Sequence, residues 1–288
     1  MGRLIRSELL KFRTTDVWWI LGLIALVATA GALVVNVFQA NASLTDVFMP
    51  SSGSTEELES MRAHFVEEHS VRGVAPAVYV SGQFLGLLVA MLLGIGVVRA
   101  EFAHRTASVT FLCTPRRAHV IGAKFLASSV LAAVLWAATT ALNTIVGIVY
   151  FSANGYETGL TYGGTLGSML LNLFAYAVWA AFGVGFATLL RGGAAAPIVG
   201  VVLYLISMPA AFMAFDVFGS MFLDDTTSPH RYALMVALPA AASQVMTTPG
   251  EVYRESPAQW VGAAVMIGYG LLSGLIGAYL TRRRDIEC

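Results

Sequence analysis

The sequence predicts an all-α integral membrane protein, a single transmembrane domain over 1–288 that crosses the bilayer six times, and three observations predict it. The chain is 57% hydrophobic and 12% charged, with a mean hydropathy of +0.73. A globule of that composition has too little polar surface to cover itself. Six apolar runs, at 17–37, 77–98, 125–151, 166–190, 194–215 and 260–280, each reach the roughly 20 residues that a helix needs to cross a hydrocarbon core. None of them contains Asp, Glu, Lys, Arg or His. The third observation is the sorting of charge. With both termini in the cytoplasm, thirteen of the seventeen cations and five of the seventeen acids fall inside, so the formal neutrality conceals a strong asymmetry. Cytoplasmic loops retain Lys and Arg, and the Arg282-Arg283-Arg284 ending agrees with an even number of spans.

Residues 1–16 precede the first span. Ile5, Leu9 and Phe12 form one stripe and Arg3, Arg6 and Lys11 lie near the other side, the pattern of an interfacial helix whose basic residues reach lipid phosphates. A basic tail that merely obeys the charge rule is the plainer reading. Trp18 and Trp19 open the first span, Tyr150 ends the third and Trp260 opens the sixth, where interfacial aromatics are expected; Trp136 and Trp179 are placed for packing. Ala40-Asn41-Ala42 imitates a signal-peptide cleavage site, but the apolar run before it is longer than the usual ~7–15 residues.

The first outer loop, 38–76, is acidic, and Ser54-Thr55-Glu56-Glu57 has capping-box spacing before a short exposed helix at 55–69. His64 and His69 stand near Glu67 and Glu68 without metal-ligand spacing. Asn36, Gln83, Asn143 and Asn172 are the large polar residues within spans, and either bond neighbouring helices or line a path. Arg191-Gly192-Gly193 turns the chain between the fourth and fifth spans, and the fifth carries Pro197 and Pro209, which make it a candidate for bending or lining a cavity. The last outer loop, 216–259, contains an apolar run at 233–246. That run, interrupted by Pro239, is too short to span and is expected to dip partway in.

The cytoplasmic segment 99–124 concentrates the chemistry that remains. Thr114-Pro115 reads as an N-cap followed by a first-turn proline. Arg116 and Arg117 then lie in a helix's first turn, where cations oppose the dipole and need lipid phosphate or an acidic partner. Cys113 and Cys288 fall on the reducing side and form no metal site. There is no P-loop, since the two lysines, Lys11 and Lys124, are each followed by Phe; there is likewise no His-Glu-x-x-His helix and no Gly-x-Ser-x-Gly elbow. Spans without carboxylate or histidine also disfavour a proton- or sodium-driven carrier.

Glu101-Phe-x-x-Arg105-Thr106, followed by Thr114-Pro115-Arg116-Arg117 and Lys124, resembles the cytoplasmic loop of bacterial ABC-2 type permeases. The segment from Arg6 to Thr15 is similar to their N-terminal stretch, and Leu238-Pro239-Ala240-Ala241 to one before their last span. The resemblance implies a permease subunit of an ATP-driven exporter in the inner membrane, not itself an enzyme. It implies a coupling helix in 99–124 that docks on a separate ATPase subunit, which would hold the ATP and Mg, while this chain has no cofactor or metal of its own. A second permease copy or paralogue completes the assembly, and nucleic acid is not a partner. The coupling residues implied are Glu101, Arg105, Thr106, Pro115, Arg116, Arg117 and Lys124. The elbow helix would meet the membrane through Arg3, Ile5, Arg6, Leu9 and Phe12. Gln83, Asn143, Asn172, Pro209 and Phe212 are the candidates for the substrate path. A non-transport membrane anchor or immunity-like protein that binds ligand through its outer loops is the alternative.

Overall fold

The computed structural model describes residues 2–45, 65–66, 69–103, 117–190, 193–222, 233–248 and 257–283. Among the described residues the regular structure is entirely helical. In chain order the α-helices are α1 (Gly2–Arg13), α2 (Val17–Thr45), α3 (Val71–Tyr79), α4 (Gln83–Ala103), α5 (Arg117–Ala153), α6 (Gly163–Leu189), α7 (Ala195–Phe222), α8 (Pro239–Thr247) and α9 (Gln259–Arg283). A 3₁₀ turn at Ala233–Ala237 leads into α8. Five helical stretches are long and apolar enough to cross a membrane: Val17–Thr45, Val71–Ala100, His119–Ala153, Gly163–Leu189 and Gln259–Ile276. α7 adds the shorter apolar stretch Ala195–Ile206. Most of the expected acidic helix at 55–69 lies outside the described residues.

α1 ends where hydroxyls take over its last carbonyls. Thr14 donates to the Lys11 carbonyl at 2.7 Å, Thr15 to that of Phe12 at 2.6 Å, and the Trp18 indole to that of Arg13 at 3.1 Å. Lys11 and Arg13 in the last turn suit the negative end of the helix dipole. α2 then shows two different faces. Ala25, Thr29, Leu33 and Ala40 are buried, while Val27, Val34 and Phe38 are 65%, 70% and 74% exposed. Apolar side chains left so open suit a face that meets hydrocarbon or another protein rather than water.

The bundle is organised around α4, which is buried on nearly every side from Leu87 to Val98. Its main neighbour is α6, and the two backbones meet at reciprocal glycines. A Cβ at Gly94 would strike the Ala180 carbonyl, and one at Gly183 would strike the Met91 carbonyl. Gly86 faces the Tyr176 hydroxyl in the same way. Contact positions rise together along both helices, so α4 and α6 run in the same direction. Without water to expel, helices in lipid associate through such close van der Waals contact, and small residues allow it.

α8 is the unexpected element of the core. The apolar run that contains it folds as the 3₁₀ turn and this nine-residue helix, with Pro239 at its start. Ala240, Ala241, Ala242, Ser243, Val245 and Met246 are buried. Gly262 of α9 admits it, because a Cβ there would lie 2.5 Å from the Ala242 carbonyl. Trp179 of α6, 3% exposed, donates its indole N–H to the Ser243 hydroxyl at 3.2 Å.

Replacing Gly183 with Leu forces α4 and α6 apart, an overpacking cost of about 1–3 kcal/mol or more. Gly268 has no heavy atom near its Cβ direction. Gly183→Leu should therefore lower the apparent melting temperature in detergent, whereas Gly268→Leu leaves it near the parent value.

Candidate functional site

Two places gather polar chemistry, one at the base of the bundle and one inside it. The base is built on Glu8. Along α1 this residue stands three after Ile5 and four before Phe12, so it shares their face. Phe12 is 2% exposed, with its ring over Gly96 of α4 where a Cβ would lie 2.7 Å from the ring. Glu8 is buried, and its two carboxylate oxygens accept from Lys11 Nζ at 2.8 Å and Lys124 Nζ at 2.7 Å. Both lysines of the chain thus meet one carboxylate. Burial by itself pushes the Glu8 carboxyl up. The Lys124 charge and the hydrogen bonds from Lys11 and Lys124 outweigh it and hold the carboxyl below its ordinary value.

Lys124 lies in α5 seven residues after its start, so the pair joins α1 to the base of the third apolar span. α4 ends at Ala103 and α5 begins at Arg117. The joint at Gly96 and Lys124 therefore grips both helices that flank residues 104–116.

The second place is a break in the second apolar stretch. Expected as one helix over 77–98, this stretch folds as α3 and α4 separated by Val80, Ser81 and Gly82. Gly82 has φ +76°, in the left-handed region, and a Cβ there would lie 2.6 Å from the Thr29 backbone. Both constraints require glycine. Breaking a helix in lipid leaves carbonyls without partners, and neighbouring amides take them up. Asn143 of α5 donates to the Tyr79 carbonyl at 3.2 Å and the Ser81 carbonyl at 2.9 Å. Asn36 of α2 donates to the Ser81 hydroxyl at 2.9 Å. Gln83 donates to the Ser243 carbonyl at 3.3 Å and accepts from the Thr247 hydroxyl at 2.9 Å, joining α4 to α8. A cleft of about 480 Å³ opens beside the break between α2, α3, α4 and α8.

The structure places the expected site residues as follows. Gln83 and Asn143 meet at the break, while Asn172 is buried in α6, its carbonyl oxygen without a hydrogen bond among the described residues. Pro209 is exposed on α7, which also carries Phe212. Glu101 lies in the last turn of α4 and Arg117 opens α5. Arg105, Thr106, Pro115 and Arg116 lie outside the described residues. On α1, which also carries Arg3, Phe12 is buried, Ile5 and Leu9 are half-buried and Arg6 is exposed. Lys124, expected on the ATPase side, has its ammonium buried against Glu8. Sequence reasoning gave Glu8 no role; its signal was a carboxylate set between apolar residues on one helical stripe.

Long apolar helices define a multi-pass membrane protein, with a polar break beside a cleft inside its bundle. Residues 3–286 match the family model described as ABC-2 family transporter protein. The chain belongs to this family: it is a membrane permease of an ABC transporter, a transport component and not an enzyme by itself. No curated protein and no solved structure matches it.

Three outcomes follow for these places. Lys124→Met leaves the buried Glu8 charge poorly compensated and should cost about 3 kcal/mol, while the double change Glu8→Gln with Lys124→Met returns stability to near the parent's. Unfolding in detergent measures both. Because the Glu8 carboxyl is held low, its contribution is fully present above the ordinary carboxyl value and is lost as pH falls through the lowered one. Protease access to α1 should accordingly rise in acid, in the parent but not in the double variant. At the break, Asn143→Leu strips the Tyr79 and Ser81 carbonyls of a donor and should destabilise by about 1–3 kcal/mol, read as a lower apparent melting temperature.

Proposed function

We propose that the chain is the membrane subunit of a bacterial exporter driven by a separate ATPase. In this reading α7 is the fifth of six spans, both termini are cytoplasmic, α1 is an elbow helix at the surface of the plasma membrane, and a second permease copy or paralogue completes the assembly. The segment 99–124 docks on the ATPase subunit, which holds ATP and Mg. Glu101 and Arg105 make the principal contacts, aided by Thr106, Pro115, Arg116 and Arg117. Family membership and the sorting of charge support this arrangement.

The observation that carries the reading is the joint at the base. α1 is tied to α4 through Phe12 and Gly96, and to α5 through Glu8 and Lys124. A displacement of the segment between α4 and α5 would move three helices together rather than one loop. The same two helices reach the break, α4 through Gln83 and α5 through Asn143. Motion applied at the base is thereby delivered to the least regular part of the bundle. ATP-driven closure of the ATPase pair would bias the helices between two arrangements, as any ligand does that binds one state better.

Affinity purification of the tagged chain, with identification of what it retains, tests the proposal. A P-loop ATPase should be captured, and Glu101→Ala with Arg105→Ala should weaken its retention by about tenfold or more, the loss expected for central interface contacts. Undiminished retention and export in that variant would overturn the coupling assignment.

A further inference from the structure

The cleft beside the break is more than a packing fault. Its volume of about 480 Å³ falls within the range of small-molecule sites. Its polar groups divide into two sets. Gln83 is engaged on both sides, donating to Ser243 and accepting from Thr247. The carbonyl oxygen of Asn36, the side-chain amide of Gln244 and the hydroxyl of Thr248 also belong to cleft-lining residues, yet among the described residues they make no hydrogen bond. All three residues are half-buried. These open groups are free to pair with an occupant that supplies hydrogen bonds, the way a few polar groups orient a ligand in an otherwise apolar site.

The walls decide what kind of occupant. Ala32, Phe84 and Leu85 present hydrocarbon, and among the described residues no lining residue carries a charge. An ionised group entering there would lose its hydration with no counter-ion to replace it. Ala77 and Leu85 are exposed, so the cleft opens toward the side of the bundle. Among the described residues α7 contributes nothing to the lining, which separates this cleft from a path along the fifth apolar run.

We propose that this cleft binds an uncharged, lipid-like amphipathic molecule entering sideways from the bilayer. Its hydrogen-bonding head lies against Asn36, Gln244 and Thr248, and its apolar part against Ala32, Phe84 and Leu85. The inference rests on the permease reading only in treating this molecule as cargo; the binding itself needs no ATPase.

The test uses the purified full chain in phosphatidylcholine nanodiscs. One probe is a diazirine-bearing monoacylglycerol, and the other is the matching acyl phosphate, with labelled peptides mapped by mass spectrometry. The uncharged probe should label the regions around Ala32 and Gln244, and the acyl phosphate should label them several-fold less. Ala32→Phe fills the cleft and should abolish most of the labelling. Gln244→Leu with Thr248→Val removes groups that make no hydrogen bond among the described residues and so spares the fold; it should cut labelling about threefold to tenfold. Displacement by dioleoylglycerol identifies a two-chain lipid as the occupant, and displacement by monooleoylglycerol alone a single-chain one; either upholds the site. Equal labelling by the two probes, or labelling unchanged in both variants, overturns it. Since ATPase retention is measured separately through Glu101 and Arg105, failure of one proposal is distinguishable from failure of the other.

Discussion

Every part of this fold answers to one constraint: in hydrocarbon, a backbone N–H or C=O has no water to fall back on. Helices satisfy it within the segment, which is why the described residues are so uniformly helical. The break between α3 and α4 is the exception that exposes the rule. Asn143 supplies donors to two carbonyls there, and the hydroxyl of Ser81 donates to the Val78 carbonyl at 2.7 Å. Asn36 and Gln83 then fix the surrounding elements, α2 on one side and α8 on the other. Three of the four large polar side chains of the spans, Asn36, Gln83 and Asn143, therefore meet where the backbone leaves its helix, and the cleft opens beside that turn.

Charge follows a related logic at the base. A carboxylate on the buried face of α1 is unfavourable alone, and a lysine at the foot of α5 is equally so. Joined, they hold two sequence-distant helices in one geometry, with the Lys11 ammonium completing the second oxygen. The aromatic ring of Phe12 fills the Gly96 notch beside them and adds shape to the electrostatic contact. Neither interaction needs the rest of α1 to be buried, and Arg6, Leu10 and Arg13 remain exposed.

Much of this architecture was legible in the sequence because lipid imposes simple patterns. Apolar length announced the five long apolar helices, the stripe of Ile5, Leu9 and Phe12 announced α1, and Trp179 was rightly set apart from the interfacial tryptophans. What escaped was everything that depends on two distant residues meeting. Ser81-Gly82-Gln83 is a small polar trio whose weight vanishes in a window of 20 apolar residues, so the second span read as continuous although Gly82 was the punctuation. Asn143 was visible as a buried amide, but its carbonyl partners were not. The 233–246 run was recognised as too short to span, yet its docking through Gln83 and Trp179 joins residues far apart in sequence. Glu8 was missed because a charge on an amphipathic helix is counted with the polar face, and only Lys124 explains why it is not there.

The Glu8 to Lys124 contact spans 116 residues, and that separation has a consequence for biogenesis. At about 5–20 residues per second, synthesis delivers Lys124 roughly 6 to 23 s after Glu8. Throughout that interval α1 has Lys11 as its local counter-ion and no foot of α5 to hold it. α1 is thus held by its own lysine first, and by the foot of α5 only after the first two apolar stretches have been made.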